Sequence, residues 1–538
     1  MRAVRERLAR RIFPLIASVG LLTVGMLSTT WGPELIHDKE WALPYDYWGT
    51  LVAAARLAHG NIGGIYAQPT GLVSLPGTAV ILVPIAWVTS ALGLSLDLPG
   101  PFNPHPGVWL IAGPYQMALS CVALFAADAL AERLGVSWWK RGLLAVAGAC
   151  ALWSPSARWG HPEDAVAVGL ILYAVLALAN GKVARAGWLS GAAICVQPLV
   201  LLALPMMVAL LPWRRMVPFL IRGALPSAAL LAAAGIANWH AMYTAVTSQP
   251  NSPIINHPTA WTSLAPHMAD GNVAAGPFRL ATIVLACCCA VAVRRRWGAL
   301  VARPAQSTVL PASTASPAGP TAPASIPPTG GGAGEWDGVV LAEVLWFMAL
   351  ALALRSFFEP VMVSYYPWPP LAVALVPAAA GGWFRLIAAG VIAGGVTAQG
   401  QGPWHNVWAW WVPLVTALLV LLAVARRYWR RQPAQATPPP QLATALKPEG
   451  RRELGRRLVE LGVGGLLGIA EVERAHRPRG EHVDVHVRHL QAGDDQACPG
   501  RAVCRLGRVA DLLRHGRHVP QQSIGGIRPL VDLLARHD

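Results

Sequence analysis

Long apolar segments separated by short polar loops follow one another along most of the chain. They lie near residues 12–30, 72–94, 107–131, 142–154, 164–180, 187–211, 217–239, 278–293, 339–354, 366–382, 385–399 and 408–425. A helix needs about 20 predominantly apolar residues to cross a bilayer, and other lengths are accommodated by tilting or by re-entrant helices. The pattern therefore predicts an all-α fold: a polytopic integral membrane protein with about 12 transmembrane or re-entrant helices.

The composition and the placement of charge support a membrane location. Of the residues, 54% are hydrophobic and 13% are charged, whereas globular proteins have roughly 25% charged residues. The net charge of +16 would suit nucleic-acid binding, but many basic residues lie at the ends of apolar runs, as the positive-inside rule describes for cytoplasmic ends. We therefore expect membrane lipids and no nucleic acid as partners, a multi-pass plasma-membrane location, and cytoplasmic N- and C-termini. The cations at run ends include Lys140, Arg141, Arg214, Arg215, Arg294, Arg295, Arg296, Arg426 and Arg427.

Changes of composition divide the chain into four parts. Residues 1–302 form an N-terminal membrane module, and residues 338–431 form a C-terminal transmembrane block. Between them, residues 303–337 are rich in Pro, Ala, Ser, Thr and Gly, which predicts a disordered cytoplasmic linker. Residues 432–538 are basic and lack the apolar periodicity of a packed domain, which predicts a mostly disordered cytoplasmic tail. The two cysteines of this tail fit no zinc template, so no metal site is predicted.

Two places interrupt the simple alternation of spans. An odd number of crossings is needed between the outer loop at Asp46 and the inner pair Lys140-Arg141, yet two apolar runs are obvious there. The run 187–211 has basic residues at both ends, so it is predicted to turn back at Gln197-Pro198. Broken helices are tolerated in membrane proteins where they line an enclosed cavity. The break therefore points to a binding site near Gln197, and an error in the helix count is the alternative.

Asp46 is the first candidate for chemistry. It follows the first apolar segment, in the run Pro44-Tyr45-Asp46-Tyr47-Trp48. If the chain enters the membrane from the cytoplasm, this carboxylate lies at the opposite membrane surface. A carboxylate there can act as a general base toward the hydroxyl of an acceptor. The alternative is an ordinary solvated aspartate in a loop.

Other ionisable residues concentrate in the loops opposite the basic ends. They are Arg158, His161, Glu163 and Asp164 in the second outer loop, His257 in the third, and Arg355 and Glu359 in the fourth. Charges at membrane depth are costly, which makes such residues candidates for function. Arg158 and Arg355 are suited to hold a phosphate, whereas Glu163 or Asp164 can accept a proton or bind a metal. A helix-end ion pair is the alternative for Arg355 with Glu359. For His161 and His257, the alternative is an interfacial polar residue.

Four short motifs give the chain a resemblance to a known superfamily. They are Asp46-Tyr47-Trp48 with Ala53-Ala54-Ala55-Arg56 and Gly60, Leu75-Pro76-Gly77 with Leu82-Val83-Pro84, Trp159-Gly160-His161-Pro162-Glu163-Asp164, and Ala186-Gly187-Trp188-Leu189 to Val196-Gln197-Pro198. Together they resemble the GT-C superfamily of polyprenyl-phosphate-sugar-dependent glycosyltransferases. Within it, the chain is most similar to the actinobacterial branch that contains the polyprenol-phosphate-mannose-dependent mannosyltransferases. The likeness covers residues 1–425 as a hydropathy pattern.

The resemblance implies a GT-C-like fold and transfer of a sugar from a polyprenyl-phosphate donor to an envelope glycolipid or glycan on the outer face. It implies that Asp46 is the catalytic base, with Arg355 and Arg158 as the candidate cations near the departing phosphate. The remaining candidate substrate-binding residues are His161, Glu163, Asp164, Gln197, His257 and Glu359. The chain departs from the family at Gln197, where the family usually has Lys, and at Leu75-Pro76-Gly77, where it usually has Tyr-Pro-Pro. By the resemblance, activity then requires that Arg158 or Arg355 supply the cation that this Lys would bring.

Two other functions remain open at the level of sequence. The broken run at Gln197-Pro198 suits a transporter or flippase for a lipid or a polar solute. The lost Lys and the unusual tail suit a catalytically silent scaffold for envelope synthesis. No cofactor is predicted beyond the lipid-linked sugar, which is a substrate. The sequence leaves open the sugar, the acceptor, the oligomeric state and any role for a divalent metal.

Overall fold

Nearly all of the regular structure is α-helical, as the apolar pattern predicts. The computed structural model describes residues 9–31, 43–67, 72, 74–96, 105–248, 251–253, 256–268, 271–274, 276–302, 336–401 and 406–426. All but the last two residues of the predicted linker at 303–337 lie outside the described residues, and so does the whole predicted tail at 432–538.

Sixteen α-helices occur in the described residues. They are α1 Ile12–Trp31, α2 Tyr45–Ala58, α3 Gly77–Val80, α4 Val83–Ala91, α5 Pro106–Ser120, α6 Val122–Arg133, α7 Trp138–Trp153, α8 Pro162–Ala179, α9 Val183–Val196, α10 Leu204–Ala209, α11 Trp213–Ser248, α12 Gly276–Ala302, α13 Gly338–Phe358, α14 Trp368–Ala380, α15 Trp383–Gln401 and α16 Val407–Arg426. Two short strands, β1 His257–Pro258 and β2 Val361–Met362, pair antiparallel. The fold is therefore all-α apart from this small ribbon.

Six helical segments in the described part of the chain are long and apolar enough to cross a membrane. They are Pro106–Arg133 (α5 with α6), Pro162–Ala179, Trp213–Thr247, Gly276–Arg296, Gly338–Phe358 and Val407–Arg426. Four shorter apolar helices accompany them, at Ile12–Ser28, Val183–Val196, Pro198–Ala209 and Trp368–Ala380. These lengths fit a polytopic helical membrane protein, whereas the count of about 12 spans stays a prediction.

The helices differ sharply in how much of their surface is covered. Helices α8 and α13 are buried along most of their length, and they contribute to the largest apolar core. Helices α11 and α12 are mostly uncovered: Ile221 is 60% exposed, Ile236 90% and Leu280 63%. A continuous exposed apolar surface is the kind of surface that a lipid bilayer covers. Helices α11 and α12 therefore carry the surface that we expect to face lipid.

Helix α9 ends abruptly at Val196, as the sequence predicts for the run 187–211. Gln197 is extended, with φ −148° and ψ 110°, and Pro198 starts a 3-10 helix that reaches Ala203. The hydroxyl of Thr78 donates a hydrogen bond to the carbonyl oxygen of Val196 at 2.6 Å. The broken end of α9 is therefore held against α3, which brings Gln197 to the wall of a cavity.

Candidate functional site

The cavity has a volume of about 540 Å³ and lies where several helix ends converge. The first turns of α2, α8 and α12 border it together with the last turn of α13 and the break after α9. Six of the nine candidate residues line the cavity: Asp46, His161, Glu163, Gln197, Arg355 and Glu359. These residues come from distant parts of the sequence, so the fold itself assembles this polar chamber.

A local irregularity of the backbone presents His161 to the cavity. Residues Ser154–Arg158 form a turn of π-helix directly after α7, and such turns recur at functional sites. Gly160 then has φ +66°, a conformation that residues with a side chain rarely adopt. Buried Gln116 supports the turn, because its Nε2 donates to the carbonyl of Ser156 at 3.0 Å. The chain thus reverses sharply before α8 and places His161 at the helix entrance.

His161 connects two carboxylates. Its Nδ1 lies 2.6 Å from Oε1 of Glu163, and its Nε2 lies 3.1 Å from Oδ2 of Asp46. Both partners accept hydrogen bonds when ionised, so both ring nitrogens then carry a proton. The ring of Tyr365 packs against the imidazole, with 3.9 Å between ring centroids and an angle of 31° between the ring planes. Asp46, His161 and Glu163 thus form a continuous hydrogen-bonded chain.

The electrostatics of this hydrogen-bonded chain favour the charged forms of His161 and Asp46. Burial lowers the pKa of His161, but the charge of Glu163 and the hydrogen bonds to both carboxylates raise this pKa well above its usual range. Partial burial raises the pKa of Asp46, yet the hydrogen bond and the charge of His161 together bring it below the ordinary value. The side chain of Asp46 is still 56% exposed, whereas that of His161 is 8% exposed. An ionised carboxylate therefore faces the cavity, held from behind by a buried cation.

Two arginines share one buried carboxylate elsewhere in the cavity wall. Nη2 of Arg279 donates to Oε1 of Glu359 at 3.0 Å, and Nε of Arg355 donates to Oε2 at 3.3 Å. Glu359 is only 1% exposed, whereas the side chain of Arg279 is 37% exposed. The Arg355 guanidinium also lies 3.7 Å from the centre of the Tyr366 ring. The trio carries a formal charge of +1, which suits an anionic group in the cavity.

A polar loop fixes the turn that carries Glu359. The hydroxyl of Thr259 donates to the carbonyl of Glu359 at 2.9 Å, and the hydroxyl of Thr262 donates to the carbonyl of Pro360 at 2.5 Å. The indole nitrogen of Trp261 donates to the carbonyl of Phe357 at 2.7 Å. These bonds, next to the β1–β2 ribbon, tie the segment before α12 to the end of α13. Arg279 and Arg355 are thereby brought to the same carboxylate.

Gln197, which lines the cavity, pairs with Asp164, which lies behind it. Nε2 of Gln197 donates to Oδ1 of Asp164 at 2.6 Å, and Asp164 itself is buried and does not line the cavity. Gln197 stands where the resembling family has Lys. The amide therefore satisfies a buried carboxylate that a lysine would meet as an ion pair, and it leaves the cavity without a cation at this position.

Arg158 and His257 do not line the cavity. Arg158 is exposed, and its guanidinium lies 5.8 Å from the centre of the Trp159 ring. His257 is buried in the ribbon, where it stacks on Trp410 at 4.0 Å and lies 3.3 Å from the Ser364 hydroxyl. Burial lowers the pKa of His257 to about 4, so this ring is neutral at physiological pH. A structural role explains its contacts without substrate.

Arg279 is the site residue that the sequence analysis does not identify. It lies in the first turn of α12, at the start of the apolar run 278–293, which the hydropathy pattern predicts to be a membrane segment. Its position could have identified it. Basic residues concentrate at cytoplasmic ends of membrane segments, so an arginine at the predicted outer end is an exception that calls for a functional reason. In the described part of the chain, no group of three or more His, Cys, Asp or Glu side chains has the arrangement of a metal site.

Comparison with protein-family models and with curated proteins finds no match to this chain. The likeness to GT-C enzymes therefore rests on the short motifs, and the function has to be argued from the cavity.

Proposed function

We propose that the chain is an integral membrane glycosyltransferase of GT-C type. It moves a hexose, mannose in the resembling branch, from a polyprenyl-phosphate donor to an envelope glycolipid or glycan acceptor. The observation that carries the proposal is the pairing, in one cavity, of the exposed carboxylate of Asp46 with the cationic trio of Arg279, Arg355 and Glu359. Such a transfer needs a base for the acceptor and a cation for the leaving phosphate, and both are at hand.

Asp46 acts on the acceptor. The acceptor hydroxyl attacks the anomeric carbon while the bond from that carbon to the phosphate oxygen breaks. The hydroxyl proton passes to the carboxylate of Asp46, and the electron pair of the broken bond leaves with polyprenyl phosphate. His161 keeps Asp46 ionised and oriented through its bond to Oδ2 at 3.1 Å, which makes His161 a positioning residue.

The arginines act on the donor. A polyprenyl phosphate gains negative charge as it departs, and guanidinium groups placed beforehand stabilise that charge without reorganising. Arg279 is the more exposed of the two, so it makes the first contact with the phosphate. Glu359 holds both guanidiniums in place when no donor is bound. This arrangement replaces the lysine that the family usually carries at the position of Gln197.

The remaining features of the proposal concern the membrane. The chain crosses the plasma membrane with about 12 transmembrane or re-entrant helices, and its cavity opens to the outer face. Both termini are cytoplasmic, and Lys140, Arg141, Arg214 and Arg215 lie on the cytoplasmic side, as the positive-inside rule describes. A donor that already carries its leaving group as a lipid phosphate needs no nucleotide at that face.

Transport and scaffolding predict different behaviour of the same cavity. A transporter or flippase would move a lipid or solute without making or breaking a covalent bond. A silent scaffold would not need an ionised carboxylate beside a cationic trio. The break after α9 suits a transporter as well, but the combination of carboxylate and cations in the cavity favours transfer.

The test is transfer by the purified full-length protein in liposomes. The liposomes contain a panel of radiolabelled polyprenyl-phosphate hexoses and an envelope glycolipid extract, and both labelled glycolipid and released polyprenyl phosphate are measured. Wild type is expected to form both products. Asp46→Asn is expected to lose activity by about 100-fold or more, the usual contribution of a general base. Glu132→Gln, a half-buried carboxylate that pairs with Arg11 and Arg141 away from the cavity, serves as the matched control. Movement of label without transfer would refute the proposal.

A further inference from the structure

A second concave surface has five cations among its ten lining residues. It is a groove of about 760 Å³ bordered by the end of α8, the start of α9 and the first turns of α11. We call it the basic groove. Its charged lining residues are Lys182, Arg185, Arg214, Arg215 and Arg222, and no acidic residue is among those that line it.

These cations lack counter-ions in the described part of the chain. Lys182, Arg185, Arg214 and Arg215 are exposed, and none of the four forms an ion pair with a described residue. Some other arginines of the described chain do form ion pairs: Arg11 and Arg141 meet Asp128, and Arg296 meets Glu343. Like charges gathered in one concavity repel one another unless an anion lies between them. No acidic side chain of the described residues neutralises these four cations, so the groove is suited to an anion from outside the chain.

Close helix packing holds the groove in shape. Gly187 and Gly191, four residues apart on α9, lie against the backbone of α11; a side-chain carbon built on Gly191 would be 2.7 Å from the carbonyl oxygen of Arg222. Small residues at this spacing let membrane helices approach closely. The contact fixes the cationic start of α9 beside the cationic start of α11. The groove is therefore a built feature and does not depend on flexible surface side chains alone.

The groove lies at the opposite end of α8 from the cavity. Glu163 in the first turn of α8 lines the cavity, and Asn180 directly after its last residue lines the groove. A helix of this length extends about 27 Å at 1.5 Å per residue, close to the hydrocarbon thickness of a bilayer. Exposed apolar residues such as Trp213 (70%) and Ile221 (60%) continue from the groove along α11. The groove cations thus lie next to an exposed apolar helix surface. This arrangement suits a phospholipid whose phosphate lies in the groove and whose acyl chains lie along α11.

We propose that the basic groove binds the phosphate headgroup of an anionic phospholipid of the cytoplasmic leaflet. Lys182 and Arg185 contact the phosphate from one side, and Arg214 and Arg215 contact it from the other. The site is separate from the proposed catalytic cavity, and it does not depend on which reaction that cavity performs. Basic pockets between membrane helices on this side are suited to anionic headgroups.

The test counts lipids retained by the full-length protein. Wild type is incorporated into nanodiscs of equal parts phosphatidylcholine and phosphatidylglycerol, extracted in mild detergent and weighed by native mass spectrometry. Arg185→Gln/Arg214→Gln removes two groove cations, and Arg10→Gln/Arg295→Gln removes two exposed cations that do not line the groove. Each charge-assisted contact to a phosphate is worth about tenfold or more in binding, so the groove variant is expected to retain at least about 10-fold less phosphatidylglycerol. The control variant is expected to match wild type.

Three results would overturn the proposal. One is equal retention of phosphatidylcholine and phosphatidylglycerol by wild type. Another is an equal loss of phosphatidylglycerol in the groove and control variants, which would indicate a general charge effect. The third concerns soluble phosphate: inorganic pyrophosphate is titrated into protein in phosphatidylcholine nanodiscs. Tight binding of pyrophosphate that the groove variant loses, without retention of phosphatidylglycerol, would replace the lipid by a soluble anion.

Discussion

At the scale of single residues, the position of His161 between two carboxylates determines what Asp46 can do. A carboxylate whose pKa is lowered by a buried cation is ionised throughout the neutral range, but it is a weak base. It therefore takes a proton late, once the forming bond to the sugar has made the acceptor hydroxyl more acidic. Orientation and charge state, more than basicity, are what this arrangement supplies.

The first prediction concerns the dependence of activity on pH. His161→Gln removes the charge that lowers the pKa of Asp46 and leaves the burial that raises it. Because Asp46 must be ionised to work, activity is lost as pH falls through its pKa. The acidic limb of the kcat/KM profile is therefore expected to move to higher pH in His161→Gln. His257→Gln, which changes a histidine outside the cavity lining, is expected to leave the limb in place. An unchanged limb in both variants would contradict the role given to His161.

The second prediction separates the arginines. Arg279→Gln removes one charge-assisted contact to the donor phosphate, which is worth about 1.5–3 kcal/mol, or roughly 10- to 150-fold in kcat/KM. Arg158→Gln is expected to leave kcat/KM within about twofold, because Arg158 does not line the cavity. Steady-state kinetics with the labelled donor measure both. A large loss in Arg158→Gln with none in Arg279→Gln would move the phosphate site away from Glu359.

At the scale of helices, the broken end of α9 depends on a close approach by α3. A side-chain carbon built on Gly77 would lie 2.3 Å from the carbonyl oxygen of Cys195, so a larger residue forces the two backbones apart. The same contact positions Thr78, which lines the cavity and bonds to Val196. The glycine in Leu75-Pro76-Gly77, which departs from the family pattern, thus has a packing reason in this chain.

The third prediction follows from that contact. Gly77→Ala is expected to destabilise the protein by about 1–3 kcal/mol, the usual cost of overpacking, and to reduce transfer because Gln197 and Thr78 shift. Gly394→Ala is the matched control, because a side-chain carbon there meets no atom within 4 Å. Thermal unfolding of the purified proteins in one detergent compares them. Equal midpoints for Gly77→Ala and Gly394→Ala would show that α3 and α9 can separate without cost.

The helices also show which local features the sequence reveals. The end of α9 at Val196 could be predicted, because basic residues flank the run on both sides and Pro198 cannot continue a helix. The run 72–94 looked like one segment, yet it contains α3 and α4. Pro76 and Pro84 lie at the starts of these helices, and hydropathy alone does not register such starts. The π-turn at Ser154–Arg158 depends on support from Gln116, a tertiary contact that local sequence does not encode.

At the scale of the whole molecule, the site could be predicted in part. Asp46, Glu163 and Arg355 were identifiable because ionisable residues at predicted outer membrane ends are costly without a function. Arg279 was missed since it lies at the start of an apolar run. The ion pair between Arg279 and Glu359 joins residues that are 80 positions apart in the sequence. It depends on the loop around Thr259, so the spacing of residues along the sequence does not predict it. The helical class followed from composition, whereas the cavity required coordinates.

The fourth prediction tests the proposed orientation in the membrane, with the cavity at the outer face and the basic groove at the cytoplasmic face. The protein is prepared with its native cysteines replaced by alanine and with one new cysteine. Asn406→Cys lies directly before α16, at the end opposite the basic residue Arg426, and Ala184→Cys lies in the basic groove. A membrane-impermeant maleimide is expected to label Asn406→Cys in intact cells and Ala184→Cys only after permeabilisation. Labelling in the reverse order would place the cavity in the cytoplasm and exclude an outer-face reaction.

The most direct test of the central claim is a comparison of envelope glycans from a deletion strain. That strain is complemented with wild type or with Asp46→Asn at matched membrane levels, and its glycolipids and polysaccharides are separated by chromatography. The account predicts that one glycan is lost on deletion, that wild type restores it, and that Asp46→Asn does not. Full restoration by Asp46→Asn would contradict catalysis by Asp46 and leave transport or scaffolding as the function of this chain.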